Sequence, residues 1–177
     1  MVAAGVALIA ALVTVSSSLS AIAALDVSRV LDGELWRLYS GHLAHLAWRQ
    51  YVLDVLAFTC LFIACSARFS AAAALLLVFI AAPVVSLTVM AAGFHQVYGG
   101  LSGLSAALLS ALLVTMIRTE PRRLLPYLLA VLALTGVAAA GGSAGVPVAH
   151  EAHAAGILSG IVFALSRWRC RVLLQKI

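Results

Sequence analysis

Apolar residues in this chain come in long runs, each close to the twenty or so that an α-helix needs to cross a hydrocarbon core about 30 Å thick. They leave few folding options, because backbone amides in lipid must find their partners within the segment. The runs fall at residues 2–25, 46–66, 71–92, 100–117, 124–140 and 148–166. With 64% hydrophobic and 10% charged residues, the 177-residue chain carries more apolar surface than a soluble domain of that size can use. The expected fold is all-α: a six-transmembrane-helix bundle forming a single membrane domain over 1–177, with no soluble domain and no internal repeat.

The first run holds a serine cluster in its middle and ends near Ala21-Ile22-Ala23, which loosely resembles a signal-peptide cleavage site. No Lys or Arg precedes it, so the charged start of a signal peptide is missing. It reads as the first spanning helix. The polar segment 26–45 follows, with Asp32, Glu34, Trp36, Arg37, His42 and His45. It is too polar to cross and is expected to lie on the membrane surface, where Trp36 and Tyr39 suit the interface. Pro83 falls within the third run, where membrane helices tolerate proline. Gly141-Gly142-Ser143-Ala144-Gly145 is a loop signal between the last two runs. Cys60, Cys65 and Cys170 form no C-x-x-C and no disulfide framework, and read as packing thiols.

The net charge of +5 reflects where the basic residues sit along the spans. Arg68, Arg118, Arg122, Arg123, Arg167, Arg169, Arg171 and Lys176 fall at one face; Arg29, Arg37 and Arg49 fall at the other. Basic residues concentrate on the cytoplasmic side, which places both termini and the basic tail 167–177 there and turns the surface loop outward.

The second, fourth and sixth spans then all run from outside to inside, and depth follows from counting back from each basic end. Ser102 lies roughly 24 Å before Arg118, and His153 roughly 21 Å before Arg167, at 1.5 Å per residue. Gln50 and Asp54 lie roughly 27 and 21 Å before Arg68 by the same rise. Four polar side chains thus share one layer in the outer membrane, where such groups are costly and usually functional. Ser102 sits among Gly99, Gly100 and Gly103, and glycine permits backbone approaches that other residues block. Serine needs a base to become a nucleophile, and a neutral imidazole can serve. Gly156 and Gly160 recur four apart on the helix that carries His153. Such small-residue faces let helices approach closely, and pairing with the Gly103 side of the fourth span would carry His153 to Ser102. His150-Glu151-Ala152-His153 is not the zinc motif H-E-x-x-H, since its histidines are three apart. No metal or cofactor is expected. Glu151, His150, His95 and His42 read as groups at the wet mouth.

At this point the residues resemble the rhomboid intramembrane serine proteases, from Glu34 to about Leu165. The carrying motifs are Glu34-Leu35-Trp36-Arg37, Gly100-Leu101-Ser102-Gly103, and His153-Ala154-Ala155-Gly156 with Gly160. The resemblance implies a rhomboid-like bundle with a Ser102–His153 dyad that cuts peptide bonds in or near membrane-spanning substrates. The stretch from Trp36 to His45 looks most like the rhombosortase branch, whose members are thought to process bacterial proteins with a C-terminal Gly-Gly sorting segment. That implies a bacterial inner-membrane protein acting on substrates with a C-terminal transmembrane segment, and no nucleic-acid partner.

Two positions depart from the common pattern. Where many rhomboids carry a His and an Asn on the second span, this chain has Gln50 and Asp54. Gln50 can donate to an oxyanion, whereas Asp54 must be protonated or paired elsewhere, so Asp54→Asn is expected to be tolerated. Ala106 stands where an aromatic often follows the serine. The backbone N–H groups of Ser102 and Leu101 are the other expected oxyanion donors. A catalytically inactive relative that binds transmembrane helices is the alternative. A small transporter is a third reading, disfavoured by the missing repeat and the shallow polar layer.

Overall fold

A computed structural model describes residues 2–123 and 148–174. The expected fifth span, its following glycine loop and Lys176 lie outside the described residues. The element order is α1 (Val2–Val15), α2 (Ser17–Ala23), β1 (Leu25–Asp26), α3 (Val27–Leu31), α4 (Arg37–Ser40), a 3-10 turn (Gly41–Leu43), α5 (Trp48–Phe69), α6 (Ala71–Ala92), β2 (Val97–Tyr98), α7 (Ser102–Thr119), a second 3-10 turn (Pro121–Arg123) and α8 (His150–Leu174). Among the described residues, α5, α6 and α7 are long and apolar enough to cross a membrane, and a bent α1–α2 pair would make a fourth crossing.

That bend corrects the expectation of one continuous first helix. The chain turns by 114° between α1 and α2. The cause is in the serine cluster. Ser16 leaves the helical region (φ −99°, ψ 112°), and its hydroxyl accepts the Leu19 N–H at 3.3 Å, which caps a new helix. A 14-residue α1 is about 21 Å long at 1.5 Å per residue, short of a full crossing.

The surface segment is built, not loose. β1 pairs antiparallel with β2, Leu25 opposite Tyr98, and so ties the segment to the approach to α7. Arg37 is buried. Its Nη1 donates to the carbonyls of Ala21 (2.9 Å) and Ala24 (2.6 Å), and its Nε to Glu34 at 2.6 Å. The guanidinium thereby closes the C-terminal end of α2, whose last carbonyls have no helical partner. The same hydrogen bond holds the Glu34 carboxyl below its ordinary pKa.

α7 is the central helix, packed on α5, α6 and above all α8. Leu101, Leu104, Leu108 and Leu112 fill the core with Phe58, Phe62 and Leu77. The other side of α7 lies on α8 almost backbone to backbone. A Cβ on Gly156 would run into the Gly103 carbonyl, and one on Gly160 into the Ala107 carbonyl and the Ser110 hydroxyl. Ser110 Oγ meets the Ile157 carbonyl across the seam at 3.0 Å. At the opposite end of the bundle Arg68 pairs with Glu120 at 2.6 Å.

Gly156→Val and Gly160→Leu are therefore expected to destabilise the fold by about 3 kcal/mol or more, the upper range for overpacking. The unfolding midpoint in detergent measures it. Gly5→Ala, with open space around it, is expected to leave the midpoint unchanged or raise it, since alanine is about 1 kcal/mol better than glycine within a helix. Parent-like midpoints for both interface variants would mean that the helices do not meet this way.

Candidate active site

Ser102 is the first residue of α7, and His153 lies in the first turn of α8. Both are half-buried. They adjoin a close approach of the two helices: a Cβ on Gly103 would lie 3.2 Å from the Ala152 carbonyl. No hydrogen bond joins the Ser102 hydroxyl to the His153 imidazole. Ser102 instead lies beside the hydroxyl of Tyr98, which itself donates to the Gly100 carbonyl at 3.4 Å. Burial pushes the Tyr98 phenol above its ordinary pKa, so it stays a neutral donor. The contact of Ser102 with Tyr98 was not anticipated from sequence; no spacing rule links a tyrosine to a serine four residues on in a non-helical turn. Ala106 abuts Gly156, so the place of the missing aromatic is occupied by α8 itself.

Gln50 and Asp54 stand four apart near the start of α5, hence on one helix face. Both engage the segment leading into α7. Gln50 Nε2 donates to the Gly99 carbonyl at 2.8 Å, while its Oε1 accepts the Leu46 N–H at 3.1 Å. Asp54 Oδ2 accepts the Leu101 N–H at 3.0 Å. Gly100 N–H reaches the Gly41 carbonyl at 3.4 Å, and the Gly100 carbonyl faces His42 Nδ1 at 3.3 Å. Gly100 has φ +134°, and a Cβ there would sit 2.6 Å from Gln50 Nε2 and 2.8 Å from Asp54 Oδ2. Only glycine meets both demands. A Cβ on Gly99 would fall 2.5 Å from the Ala44 carbonyl.

These contacts bear on two expectations. The Leu101 N–H is not free at the helix end, because the Asp54 carboxylate holds it. Ser102 N–H is the next amide of the first turn, where intrahelical acceptors are lacking. Asp54 takes the second of the two courses open to it. It is paired, with His45 Nε2 3.5 Å from the same Oδ2.

His42 is likewise not at the mouth. It is 1% exposed, wedged with Nε2 3.0 Å from the Ala82 carbonyl and 3.2 Å from Ser86 Oγ. The ring bridges the surface segment to α6 and to the loop before Ser102. At the rim, His95 Nε2 and Glu151 Oε1 are 3.1 Å apart, and His150 is exposed. Among the described residues, no three His, Cys, Asp or Glu side chains converge as a metal site would require.

A helical membrane bundle with a glycine-flanked serine at the head of its central helix, and a histidine across a close helix seam, defines the class. One comparison with known proteins gives the family. The Rhomboid domain family matches residues 32–170, and the chain belongs to that family. No curated protein matches the chain. Rhomboids are a family of intramembrane serine proteases, and this chain is an integral membrane protein.

Burial holds the His42 imidazole below its ordinary pKa of 6.5, against the pull of its two carbonyl partners. Below that value the unfolded chain takes up a proton that the folded chain refuses. Stability is therefore full above it and declines as pH falls toward the depressed folded pKa. The unfolding midpoint is expected to drop between about pH 7 and pH 5, where a histidine titrates, and to drop less in His42→Gln. An equal drop in the variant would assign the pH dependence to other groups.

Proposed function

We infer that this chain is an intramembrane serine endopeptidase with Ser102 as nucleophile and His153 as base. The observation that supports the reading is the α7–α8 seam: Ser102 directly precedes Gly103, and His153 directly follows Ala152, whose carbonyl lies 3.2 Å from where a Gly103 Cβ would stand. Ser102 Oγ attacks the scissile carbonyl while His153 takes its proton, then returns it to the leaving amine. Water completes the cycle by attacking the acyl-enzyme. The Ser102 N–H, at the positive end of α7, is the nearest backbone donor for the oxyanion. Gln50 and Asp54 support the site through the 99–101 backbone. No cofactor takes part.

The substrate class that fits is a membrane-anchored protein with a C-terminal transmembrane segment, cut near a Gly-Gly sorting segment as in the rhombosortase branch. Glycines weaken a helix and let its backbone extend into a site. The topology that goes with this is six spans, both termini cytoplasmic and the 26–45 segment outside, in a bacterial inner membrane. The excess of basic residues on one face supports it. Reporter fusions after Arg123 and after Ser143 are expected to read inside and outside respectively; the reverse result would overturn the topology.

A non-catalytic, helix-binding role is the second reading. It is favoured by the absent Ser102–His153 hydrogen bond, although catalytic contacts are often long before substrate binds. Fluorophosphonate labelling in membranes separates the two. Labelling is expected in the parent and lost in Ser102→Ala. With a transmembrane substrate, Ser102→Ala and His153→Ala are each expected to abolish most cleavage, and the double variant to be little worse than either alone. Ser105, buried within α7, serves as control, and labelling is expected to persist in Ser105→Ala. Labelling that survives Ser102→Ala would sink the assignment of the nucleophile.

A further inference from the structure

We propose that His45 and Asp54 form a buried, proton-sharing pair that positions the nucleophile loop, and that the reaction depends on the carboxylate of this pair rather than on an amide of the same shape. The proposal rests on the Ser102 reading above and extends it to two residues that need not touch substrate.

The geometry leaves little choice for the proton. His45 is buried, its side chain wholly inaccessible. Its Nδ1 lies 3.2 Å from the Leu43 carbonyl, which can only accept, so Nδ1 must carry a hydrogen. Thr14 Oγ1, 3.5 Å from the same nitrogen, spends its own proton on the Ala10 carbonyl at 2.7 Å. Nε2 has no hydrogen-bond partner of its own and faces Asp54 Oδ2 at 3.5 Å. With neither group protonated there, two lone pairs would oppose each other in a buried site, a costly arrangement. One proton between them removes the conflict, as an imidazolium facing a carboxylate or as a carboxylic acid facing a neutral ring. The Leu101 N–H donates to that same oxygen at 3.0 Å, and such a bond is stronger to a carboxylate than to a neutral acceptor.

Both donors therefore fall on one oxygen. An asparagine cannot reproduce this. With its oxygen at that place it holds Leu101 by a weaker, uncharged bond and offers His45 no counter-charge; with its nitrogen there it opposes the Leu101 N–H donor to donor. Leu101 directly precedes Ser102, so losing this bond releases the nucleophile's own backbone at the helix start. Gln50, bonded to Gly99 two residues back, holds the other side of the loop. A misplacement of about 1 Å at a reacting group can cost on the order of a hundredfold in rate.

The test uses the full-length protein in detergent with a fluorophosphonate probe, separating the saturating labelling rate from the probe concentration that half-saturates it. Amide exchange of the 99–104 segment is measured on the same samples. Asp54→Asn is expected to lower the saturating rate about ten- to a hundredfold, to leave half-saturation unchanged, and to speed exchange at Leu101. His45→Leu is expected to do the same. His45→Gln, whose amide can still donate to Asp54, is expected to keep most of the rate. Parent-like exchange at Leu101 in Asp54→Asn would overturn the proposal whatever the labelling does. So would a fall in rate that merely tracks a lowered unfolding midpoint in all three variants. Failure of Ser102→Ala to remove labelling strikes the nucleophile assignment instead, and the exchange result stands apart from it.

Discussion

The rest of this structure depends on the near contact of two helix backbones, α7 and α8, at Gly103–Gly156 and Ala107–Gly160. In lipid, apolar side chains gain little by leaving one apolar neighbour for another, so helix association draws on close packing and hydrogen bonds. Glycine supplies both here. It removes the Cβ that would hold the axes apart, and it lets Ser110 reach the Ile157 carbonyl across the seam. Everything near the N-terminal end of α8, including His153, takes its place relative to α7 from this one contact.

A second constraint acts on the segment that leads into α7. The 99–101 backbone has almost no freedom left, because its polar groups are claimed from three directions. α5 takes Gly99 and Leu101 through Gln50 and Asp54; the surface segment takes Gly100 through Gly41 and His42; Tyr98 closes the Gly100 carbonyl from its own chain. Buried backbone groups in a membrane protein need such partners. The side effect is that a serine at the start of α7 stands on a braced platform, which is what a nucleophile requires of its support.

The surface segment earns its order the same way. Arg37, a cation that would be costly to bury alone, spends its donors on the open end of α2 and on Glu34. His42 reaches from this segment to the Ala82 carbonyl of α6 and the Gly100 carbonyl beside the site. The segment is thus part of the core's polar framework and not a cover laid over it.

Much of this was legible in the chain. Long apolar runs dictate helices in lipid, and α5, α6 and α7 lie within a few residues of the runs that announced them. The glycine spacing at 156 and 160 announced a close helix face, and the counted depths put Gln50 and Asp54 level with the 99–101 backbone that they bond. Other features were beyond sequence. The break at Ser16 turned on a single side chain choosing a cap over a helical bond. His42 read as a mouth residue because hydropathy cannot tell a histidine facing water from one facing two carbonyls. Asp54 read as either protonated or paired, and only the fold names its partners, an amide 47 residues away and a histidine on the surface segment. Composition and periodicity report what each residue prefers along its own helix. Which donor meets which acceptor across helices depends on distances of a few tenths of an ångström, and those exist only once the bundle has closed.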